Sequence, residues 1–385
     1  MIALMQCAWL ALVMVRGAAL ATMPSLRCVR QQARADAARA VHAGNGGVRG
    51  IIALMLRAVS AVYYDARRAG RHARPPRDFD EVQQMQYIGD DRFIHEFGPD
   101  MAPVATLRPG ERATVRTVDC YCNVLRRDGD PWLELRKHVP GPNPATGPIA
   151  IEGAQPGDTL AVSILDIRPD AQGAMNVRAG VGGLGDYVEG CETRVFGISD
   201  GAVDFGGRKL PIAPMIGVIG VATAQVNGAI CTETPHMHGG NMDDRHITAG
   251  ATVYLPVSQP GAQLALGDVH ALMGDGEVAI CGLECAAEVD ICCELIKGRA
   301  EQWPVVRDAA GCYRVNCSAD TLDEAARLAR GALLEFLERR LDGMTRNHIA
   351  MLMSLVGDLE IAQIVDPLVT CRMGIRAGIL PELKF

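Results

Sequence analysis

The sequence predicts an α+β protein that is mostly antiparallel β, with sandwich-like sheets and a few helices near the C-terminus. Three observations lead to this fold class. Short strand-like segments lie between Pro-Gly and Gly turns from residue 78 onward, and helical spacing occurs only near the end of the chain. The composition, with 42 Gly, 21 Pro and 4% aromatic residues, is also turn-rich. Strands followed by helices are typical of α+β proteins.

Six segments have the pattern of β-strands. In 159–167, Leu160, Val162 and Ile164 recur at period two and would share one face of a strand. Pro-Gly turns precede several of these segments, and Gly-containing turns separate others. The predicted strands cover residues 113–118, 159–167, 251–257, 264–266, 276–280 and 289–296.

Two helices are predicted near the C-terminus. Thr321 and Glu324 have the spacing of a capping box, in which a hydroxyl and a carboxylate satisfy amide hydrogens of the first helical turn. Apolar residues at helical spacing follow until Gly343, which has the position of a helix terminator. The apolar run 348–359 predicts a second helix.

The composition excludes some classes of function. With 49% hydrophobic and 22% charged residues, the 385-residue chain is globular. Its net charge of −7 provides no overall basic field, so nucleic acid is not expected as a partner. The thirteen Cys include no C-x-x-C pair, which argues against a zinc ribbon or a disulfide framework. Free thiols in a reducing compartment are therefore expected.

The first 84 residues differ from the rest of the chain and are expected to form an Arg-rich leader. Residues 1–77 contain twelve Arg, two Asp and neither Lys nor Glu. This composition fits a transit peptide, and the apolar stretch 1–15, which is shorter than the ~20 residues that span a bilayer, fits a signal peptide. The alternatives are a disordered leader or a misassigned start, with Met85 as the true start. The predicted catalytic region covers residues 85–385, and no membrane partner is expected.

The segment 233–284 is rich in side chains that bind metals. Four of the nine His lie here, together with several Asp and Glu. Asp268 and His270 are two residues apart, so on a strand their side chains point the same way. Imidazole and carboxylate together suit Zn²⁺. The alternative interpretation is that 267–270 and 274–277 are only polar turns between strands.

Competing chemistries have weaker support. The sequence contains no Walker-A phosphate-binding loop. The segment 180–185 reads G-x-G-G-x-G, but no helix start follows it, which argues against a dinucleotide site. Cysteines in the strand-like segment 281–293 are expected to pack in the core rather than to act as nucleophiles.

Three blocks resemble the acetamidase/formamidase family. They are Thr-Gly-Pro-Ile-Ala-Ile-Glu-Gly-Ala-Gln-Pro-Gly-Asp (146–158), His-Gly-Gly-Asn-Met-Asp (238–243) and Leu-Gly-Asp-Val-His-Ala-Leu-Met-Gly-Asp-Gly-Glu (266–277). The segment 358–366 is also similar to the family, so the resemblance covers residues 85–385. The order and spacing of the second and third blocks are specific, because chance does not easily assemble them.

The resemblance implies hydrolysis of the C–N bond of short linear amides, of the formamide or acetamide type, to ammonia and a carboxylate. It also implies a mostly β, cytoplasmic homo-oligomer that is associated with metal ions. The family's motif residues correspond to Asp119, Glu152, His238, Asn241, Asp243, Asp268, His270, Glu277 and Glu284. Many members have Gln where this chain has Met273, which leaves the substrate preference open.

These positions lead to a hypothesis about the mechanism. A divalent metal, expected to be zinc, would activate water for attack on the amide. Glu152 would act as the general base, and Asn241, or the backbone amides at Gly239 and Gly240, would stabilise the developing oxyanion. The predicted metal ligands are Asp119, His238, Asp268, His270 and Glu284, and the predicted catalytic residues are Glu152, Asn241 and Asp243.

Several alternatives stay open. The segment 274–277 would either bind a second, harder ion such as calcium or only shape a turn. In the simplest interpretation Asp119 is a strand-end aspartate and Glu152 a turn residue. The protein would act on a linear amide, on another small or cyclic amide, or would be a non-catalytic member of the family with a binding role.

Overall fold

The computed structural model describes residues 85–378, and the predicted Arg-rich leader of residues 1–84 lies outside them. The helices are α1 (Trp132–Leu135), α2 (Leu322–Glu338) and α3 (Arg346–Val356). The strands are β1 (Gln86–Ile88), β2 (Phe93–Ile94), β3 (Glu96–Phe97), β4 (Ala105–Leu107), β5 (Arg112–Thr117), β6 (Ala145–Ile151), β7 (Thr159–Pro169), β8 (Gln172–Arg178), β9 (Cys191–Ser199), β10 (Ala202–Phe205), β11 (Arg208–Pro211), β12 (Met215–Gly220), β13 (Ile230–Cys231), β14 (Gly239–Asn241), β15 (Thr252–Pro256), β16 (Leu264–His270), β17 (Glu284–Cys285), β18 (Ala287–Ile296), β19 (Val305–Arg307), β20 (Tyr313–Ala319), β21 (Gly357–Gln363) and β22 (Val369–Ile375).

Two large sheets contain nearly all of these strands. One sheet has nine strands in the order β1-β5-β18-β7-β15-β19-β20-β22-β21, and the other has eleven strands. Eight of the eleven follow the order β11-β10-β9-β8-β17-β16-β12-β14, and β6 joins them by pairing with β16, β2 and β4. The pairs within the two sheets are antiparallel except for β1–β5 and β4–β6. The predicted fold class is therefore confirmed.

The main core lies between the apolar faces of the two sheets. Val162 and Val289 of the nine-stranded sheet and Ile216 and Leu266 of the eleven-stranded sheet belong to one buried cluster. Burying a large apolar side chain contributes about 1.5–3 kcal/mol, so two sheets with apolar faces pack against each other. Every residue of β16 is buried, which places a polar segment of this strand inside the protein.

The helices α2 and α3 cover one part of the nine-stranded sheet. Val315 and Cys317 of β20 belong to the same buried cluster as Phe336 of α2. Alternate residues of a strand face opposite sides, so Asn316 leaves this cluster and instead donates a hydrogen bond to Asp244. The two faces of β20 therefore serve different parts of the protein.

The predicted cap of the long helix is confirmed. The Thr321 hydroxyl accepts a hydrogen bond from the amide of Glu324, at 3.3 Å, at the start of α2. The second predicted helix ends earlier than expected, at Val356, because Gly357 begins β21, which pairs with β22. None of the helices within residues 85–378 is long and apolar enough to span a membrane.

Five of the six predicted strands are present and correspond to β5, β7, β15, β16 and β18. The predicted strand 276–280 was wrong. Gly276 forms only an isolated bridge with Gln363, and the segment then turns with positive φ at Glu277 (45°) and Ile280 (80°). A left-handed conformation breaks the pleat of a strand, so the apolar residues of this segment do not form a ladder.

Candidate functional site

His270 lies in a buried cluster of acidic side chains. Its Nε2 atom is 3.2 Å from Glu284 Oε2, 3.6 Å from Asp268 Oδ1 and 3.8 Å from Asp243 Oδ1. Strand pairing produces part of this geometry, because β16 pairs with β17 so that His270 lies opposite Glu284. All four side chains are buried. The site is therefore an imidazole among three carboxylates.

Two of these carboxylates are held through one oxygen only. Asp268 Oδ2 accepts a hydrogen bond from Asn143 Nδ2 at 3.1 Å, and Glu284 Oε1 accepts one from the Gly282 amide at 3.0 Å. Their other oxygens are buried without a hydrogen-bond partner. The buried atoms without a partner in this region are Asn241 Oδ1, Asp243 Oδ1 and Oδ2, Asp268 Oδ1, His270 Nε2, Glu277 Oε2, Glu284 Oε2 and Asp366 Oδ2. Such a concentration of unpartnered polar atoms calls for a bound group.

The donor set fits a divalent cation. The ligand atoms fall into three overlapping groups, and within each group they lie within 4.8 Å of one another. The groups are Asp243–Asp268–His270, His270–Glu277–Glu284 and Cys120–Asp268–Glu284. Buried carboxylates in contact repel each other unless a positive charge lies among them, so a cation would satisfy both the charge and the unpartnered atoms.

Strained backbone holds the acidic side chains in place. Asp243, Asp268 and Glu277 have left-handed φ values of 43°, 54° and 45°. Such conformations are uncommon for residues other than Gly, and they cluster at functional sites. Gly217 makes room for two of the carboxylates, because a Cβ there would lie 2.5 Å from Asp243 Oδ1 and 2.7 Å from Asp268 Oδ2.

Burial changes the protonation of the cluster. It raises the pKa of Glu284 to about 8, with the charge of Asp268 adding to the effect and His270 opposing it. Burial and the charge of Asp243 raise the pKa of both Glu277 and Asp366 well above its usual range. Burial opposes the charged form of His270, but Glu284 and Asp268 nevertheless hold its pKa well above the ordinary value. Without a cation, the cluster therefore retains protons at neutral pH.

A buried arginine joins the two loops on which Asp243 and Glu277 lie. Arg372 of β22 is fully buried and lies 3.1 Å from the carboxylate of Asp244 and 2.7 Å from that of Asp275. Asp244 follows Asp243 directly, and Asp275 lies two residues before Glu277. The ion pairs thus fix two loops of the site to the nine-stranded sheet.

The same contacts change the interpretation of segment 274–277. Asp275 pairs with Arg372 and, at 3.1 Å, with Arg245, whereas Glu277 turns toward His270 and Glu284. The two acidic residues therefore diverge, and the segment does not form the separate calcium site that the sequence analysis considered. Its glutamate belongs to the main cluster.

Glu152 is not brought to the cluster. It is exposed and follows the last residue of β6, Ile151. The other end of this strand, at Ala145, pairs with Gly267 next to the cluster. At about 3.3 Å per residue, Glu152 lies roughly 20 Å along the strand from that point. Its assignment as the general base of this site is therefore corrected: it is a turn residue.

Two predicted metal ligands lie outside the three groups of donor atoms. Asp119 is buried and accepts a hydrogen bond from the amide of Asn123 at 2.6 Å. Burial raises the pKa of Asp119 to about 6, and the charge of Asp268 adds to this effect. His238 packs against Phe97 with ring centres 4.9 Å apart, and burial lowers its pKa to about 3. Asp119 and His238 therefore lie outside the three groups, but both ring nitrogens of His238 are buried without a hydrogen-bond partner. Their role as ligands stays a prediction.

Sequence reasoning brought Asp243, Asp268, His270 and Glu284 together but missed other members of the site. Asp366 accepts a hydrogen bond from Asn241 Nδ2 at 3.1 Å and lies next to Asp243. Its only signal was the family-like segment 358–366. Cys120 gave no signal in the sequence, because it lies in a turn after β5 and belongs to none of the motifs.

These features define a class of protein: a β-rich protein with two large sheets and a buried carboxylate–imidazole site. Residues 80–227 and 223–310 match the Acetamidase/Formamidase family. The chain belongs to the acetamidase/formamidase family.

Relatives of known structure support this assignment. The chain is 40% identical to a predicted acetamidase/formamidase from Thermoanaerobacter tengcongensis, with 77% of this chain and 97% of that chain covered and a TM-score of 0.72. It is 37% identical to an acetamidase from Bacillus halodurans, with 75% and 97% covered and a TM-score of 0.72. It is 28% identical over 271 residues to the acetamidase of Mycolicibacterium smegmatis, which covers 54% of this chain. The chain spans 66% of that curated relative, just under two thirds of its length.

Proposed function

We propose that the protein hydrolyses the C–N bond of short linear amides and releases ammonia and a carboxylate. The observation that carries this proposal is the convergence of unpartnered atoms from Asp243, Asp268, His270 and Glu284 in one buried cluster. Relatives named acetamidase support the substrate class. Residues 85–385 form the proposed catalytic region.

Asp243, Asp268, His270 and Glu284 would hold a divalent cation, which we propose to be zinc. An imidazole among carboxylates supports zinc over calcium or magnesium, which prefer oxygen ligands alone. When bound, the cation would supply Lewis-acid chemistry that polarises a carbonyl and makes water more acidic.

Glu277 is proposed as the proton carrier, in the role that the sequence analysis gave to Glu152. Its Oε2 atom is buried and has no hydrogen-bond partner, and a carboxylate oxygen of Glu277 lies within 4.8 Å of donor atoms of His270 and Glu284. Burial raises its pKa, so the carboxyl group is suited both to taking a proton from water and to delivering one to departing ammonia.

Asn241 is proposed to orient the amide group of the substrate. Its Nδ2 atom donates one hydrogen bond to Asp366, and its Oδ1 atom is buried without a partner. One N–H and one oxygen are thus free to pair with a group that has both a carbonyl oxygen and an NH₂, as a primary amide has. The free N–H would also serve a developing oxyanion.

We further propose a cytoplasmic homo-oligomer. All eleven cysteines that lie within residues 85–378 are free thiols, which supports a reducing compartment. Met351 and Leu355 of α3 and Leu359 and Ile361 of the edge strand β21 are exposed apolar residues. Exposed apolar groups of this kind support contact with a second copy of the chain.

The test is ammonia release from formamide and acetamide by the full chain, before and after metal removal by a chelator. The proposal expects turnover that is lost on chelation and restored by zinc in preference to calcium. Turnover that persists when metal analysis shows no bound ion would contradict the role of the cation. No ammonia from folded, zinc-loaded protein would contradict the proposed reaction.

A further inference from the structure

The thiol of Cys120 lies against two carboxylates of the cluster. Its Sγ atom and one carboxylate oxygen from each of Asp268 and Glu284 lie within 4.8 Å of one another. The four residues proposed above to hold the cation do not include this cysteine. The thiol is thus a donor atom of the site without an assigned role.

The two carboxylates call for a cation independently of the cysteine. Asp268 and Glu284 are each 2% exposed, and the Asp268 Oδ1 and Glu284 Oε2 atoms are buried without a hydrogen-bond partner. The other oxygen of each group accepts a hydrogen bond, from Asn143 and from the Gly282 amide, which fixes the orientation of both carboxylates. Two buried carboxylates with unpartnered oxygens are stabilised by a positive charge between them.

Hydrogen bonds fix the turn that carries Cys120. Asp119 and Asn123 bond reciprocally, because the amide of each donates to the side chain of the other, at 3.1 and 2.6 Å. Tyr121 is buried, and its hydroxyl accepts a hydrogen bond of 3.1 Å from a backbone amide of β8. Strand β8 pairs with β17, which carries Glu284. The turn and Glu284 are therefore attached to the same pair of strands.

Cys120 and His270 lie near the same two carboxylates. The Nε2 atom of His270 is 3.2 Å from Glu284 and 3.6 Å from Asp268. Within residues 85–378, however, no group of donor atoms contains both His270 and Cys120. The nitrogen and the sulfur therefore reach the carboxylates from different positions.

The sulfur changes which cations the site favours. Zinc binds thiolate, imidazole and carboxylate ligands in proteins, whereas magnesium and calcium take oxygen ligands. Soft thiolate ligands favour thiophilic metals over hard ones. A thiol beside two carboxylates and an imidazole therefore matches zinc better than the carboxylates do alone.

We propose that Cys120 binds the cation of the cluster as a thiolate, together with Asp268 and Glu284, and that this sulfur selects thiophilic cations such as zinc, cobalt and cadmium over magnesium and calcium. The bond between sulfur and cation forms as the thiol releases its proton to solvent. This inference rests on the cation of the proposed function and adds one ligand to it.

Cobalt(II) is the probe, because a bond between thiolate and cobalt gives a charge-transfer band in the near ultraviolet that oxygen and nitrogen ligands do not give. The full chain is loaded with cobalt, and its absorption spectrum and metal content are measured. Wild-type protein is expected to show the band. Cys120→Ser is expected to bind cobalt through the remaining ligands and to lack the band. Cys120→Ala, which adds no hydroxyl, is the second variant and should give the same result.

Cys122→Ser is the matched control. Cys122 lies two residues further along the same turn and is half-buried, and its sulfur faces the carbonyl oxygen of Gly141 at 3.9 Å. This variant is expected to keep both the band and the metal affinity of wild type.

Metal affinity gives a second readout. Cys120→Ser is expected to weaken zinc binding at least about tenfold, since even the loss of an outer contact to a metal ligand costs about that much. It should leave magnesium binding unchanged. Competition with chelating dyes measures both affinities, and equal losses for zinc and magnesium would contradict the selection by sulfur.

Ammonia release from formamide and acetamide, measured on zinc-loaded samples of the same proteins, separates this inference from the proposed function. Cobalt-loaded wild type without the band would overturn the inference and leave the proposed function intact. A band of equal strength in Cys120→Ser would overturn the assignment of Cys120. A band in wild type without any ammonia release would support the inference and overturn the proposed function. Wild-type protein that binds neither cobalt nor zinc would overturn the inference together with the proposed role of the cation.

Discussion

The Nδ1 atom of His270 lies 3.3 Å from the thioether sulfur of Met273, and both side chains are buried. A histidine that binds a metal through Nε2 usually donates its other N–H to a carboxylate, a carbonyl or water. A thioether is a weak acceptor, so Met273 orients the ring of His270 without making it a strong ligand.

Met273→Gln is expected to increase zinc affinity about tenfold, because an amide oxygen is a better acceptor for the Nδ1–H group and changes in this outer contact alter metal affinity by about 10–100-fold. Competition with a chromogenic chelator measures the change. Met273→Leu, which has no acceptor, should bind zinc no more tightly than wild type. Equal affinities in all three proteins would contradict the role of this contact.

His270→Ala is expected to lose metal binding and amide hydrolysis together, because it removes the imidazole that belongs to two of the three donor groups. Metal content after gel filtration and ammonia release are the two measurements. His348→Ala, at an exposed position near the start of α3, is the control and should leave both unchanged. Full retention of zinc in folded His270→Ala protein would show that His270 is not a ligand.

Arg372→Met is expected to reduce the free energy of unfolding by about 3–5 kcal/mol, because it leaves the fully buried carboxylate of Asp244 without its counter-charge. Urea unfolding of the two proteins measures the loss. Arg376→Met removes an arginine that is 65% exposed and pairs with Asp358, so its cost should stay below about 1 kcal/mol. Similar costs for both substitutions would contradict the importance of the buried pair.

The metal-free protein is expected to lose stability as the pH rises from 6.5 to 8. Burial raises the pKa of Glu284 from 4.5 to about 8, so in this range the folded protein holds a proton that the unfolded chain releases. The free energy of unfolding then falls by about 1.4 kcal/mol per pH unit for this proton and levels off above pH 8.

The choice of pH range separates this effect from that of the histidines whose pKa is lowered by burial, whereas the raised pKa values of His270, Glu277 and Asp366 add to the fall in stability. Burial lowers the pKa of His236, His238 and His246 below the ordinary value of 6.5, which makes stability rise with pH below that point. Urea unfolding of chelated protein at several pH values above 6.5 measures the slope, and Glu284→Gln should reduce it by about one proton. A free energy of unfolding that increases over this range in wild type would contradict the protonation of Glu284.

Local patterns were sufficient for five of the strands and for the start of α2. Period-two alternation identified β7, and the capping box placed Thr321 at the N-cap of α2, because both depend on residues close together in the chain. The predicted strand 276–280 failed because left-handed backbone at Glu277 and Ile280 turns the chain after a single bridge between Gly276 and Gln363, a residue far along the chain.

The sequence by itself determined the family, the fold class and the residue types of the site, including the pairing of Asp268 with His270. Only the tertiary structure decided which acidic residues reach that pair. Strand pairing places Glu284 opposite His270, and a turn with left-handed backbone places Glu277 in the cluster. Asp366, from the C-terminal region, lies beside Asn241, whereas Glu152 follows the far end of β6. The physical reason is that a residue's position in a sheet depends on strand order and register. These are set by contacts between segments that are separate along the chain, which no local pattern records.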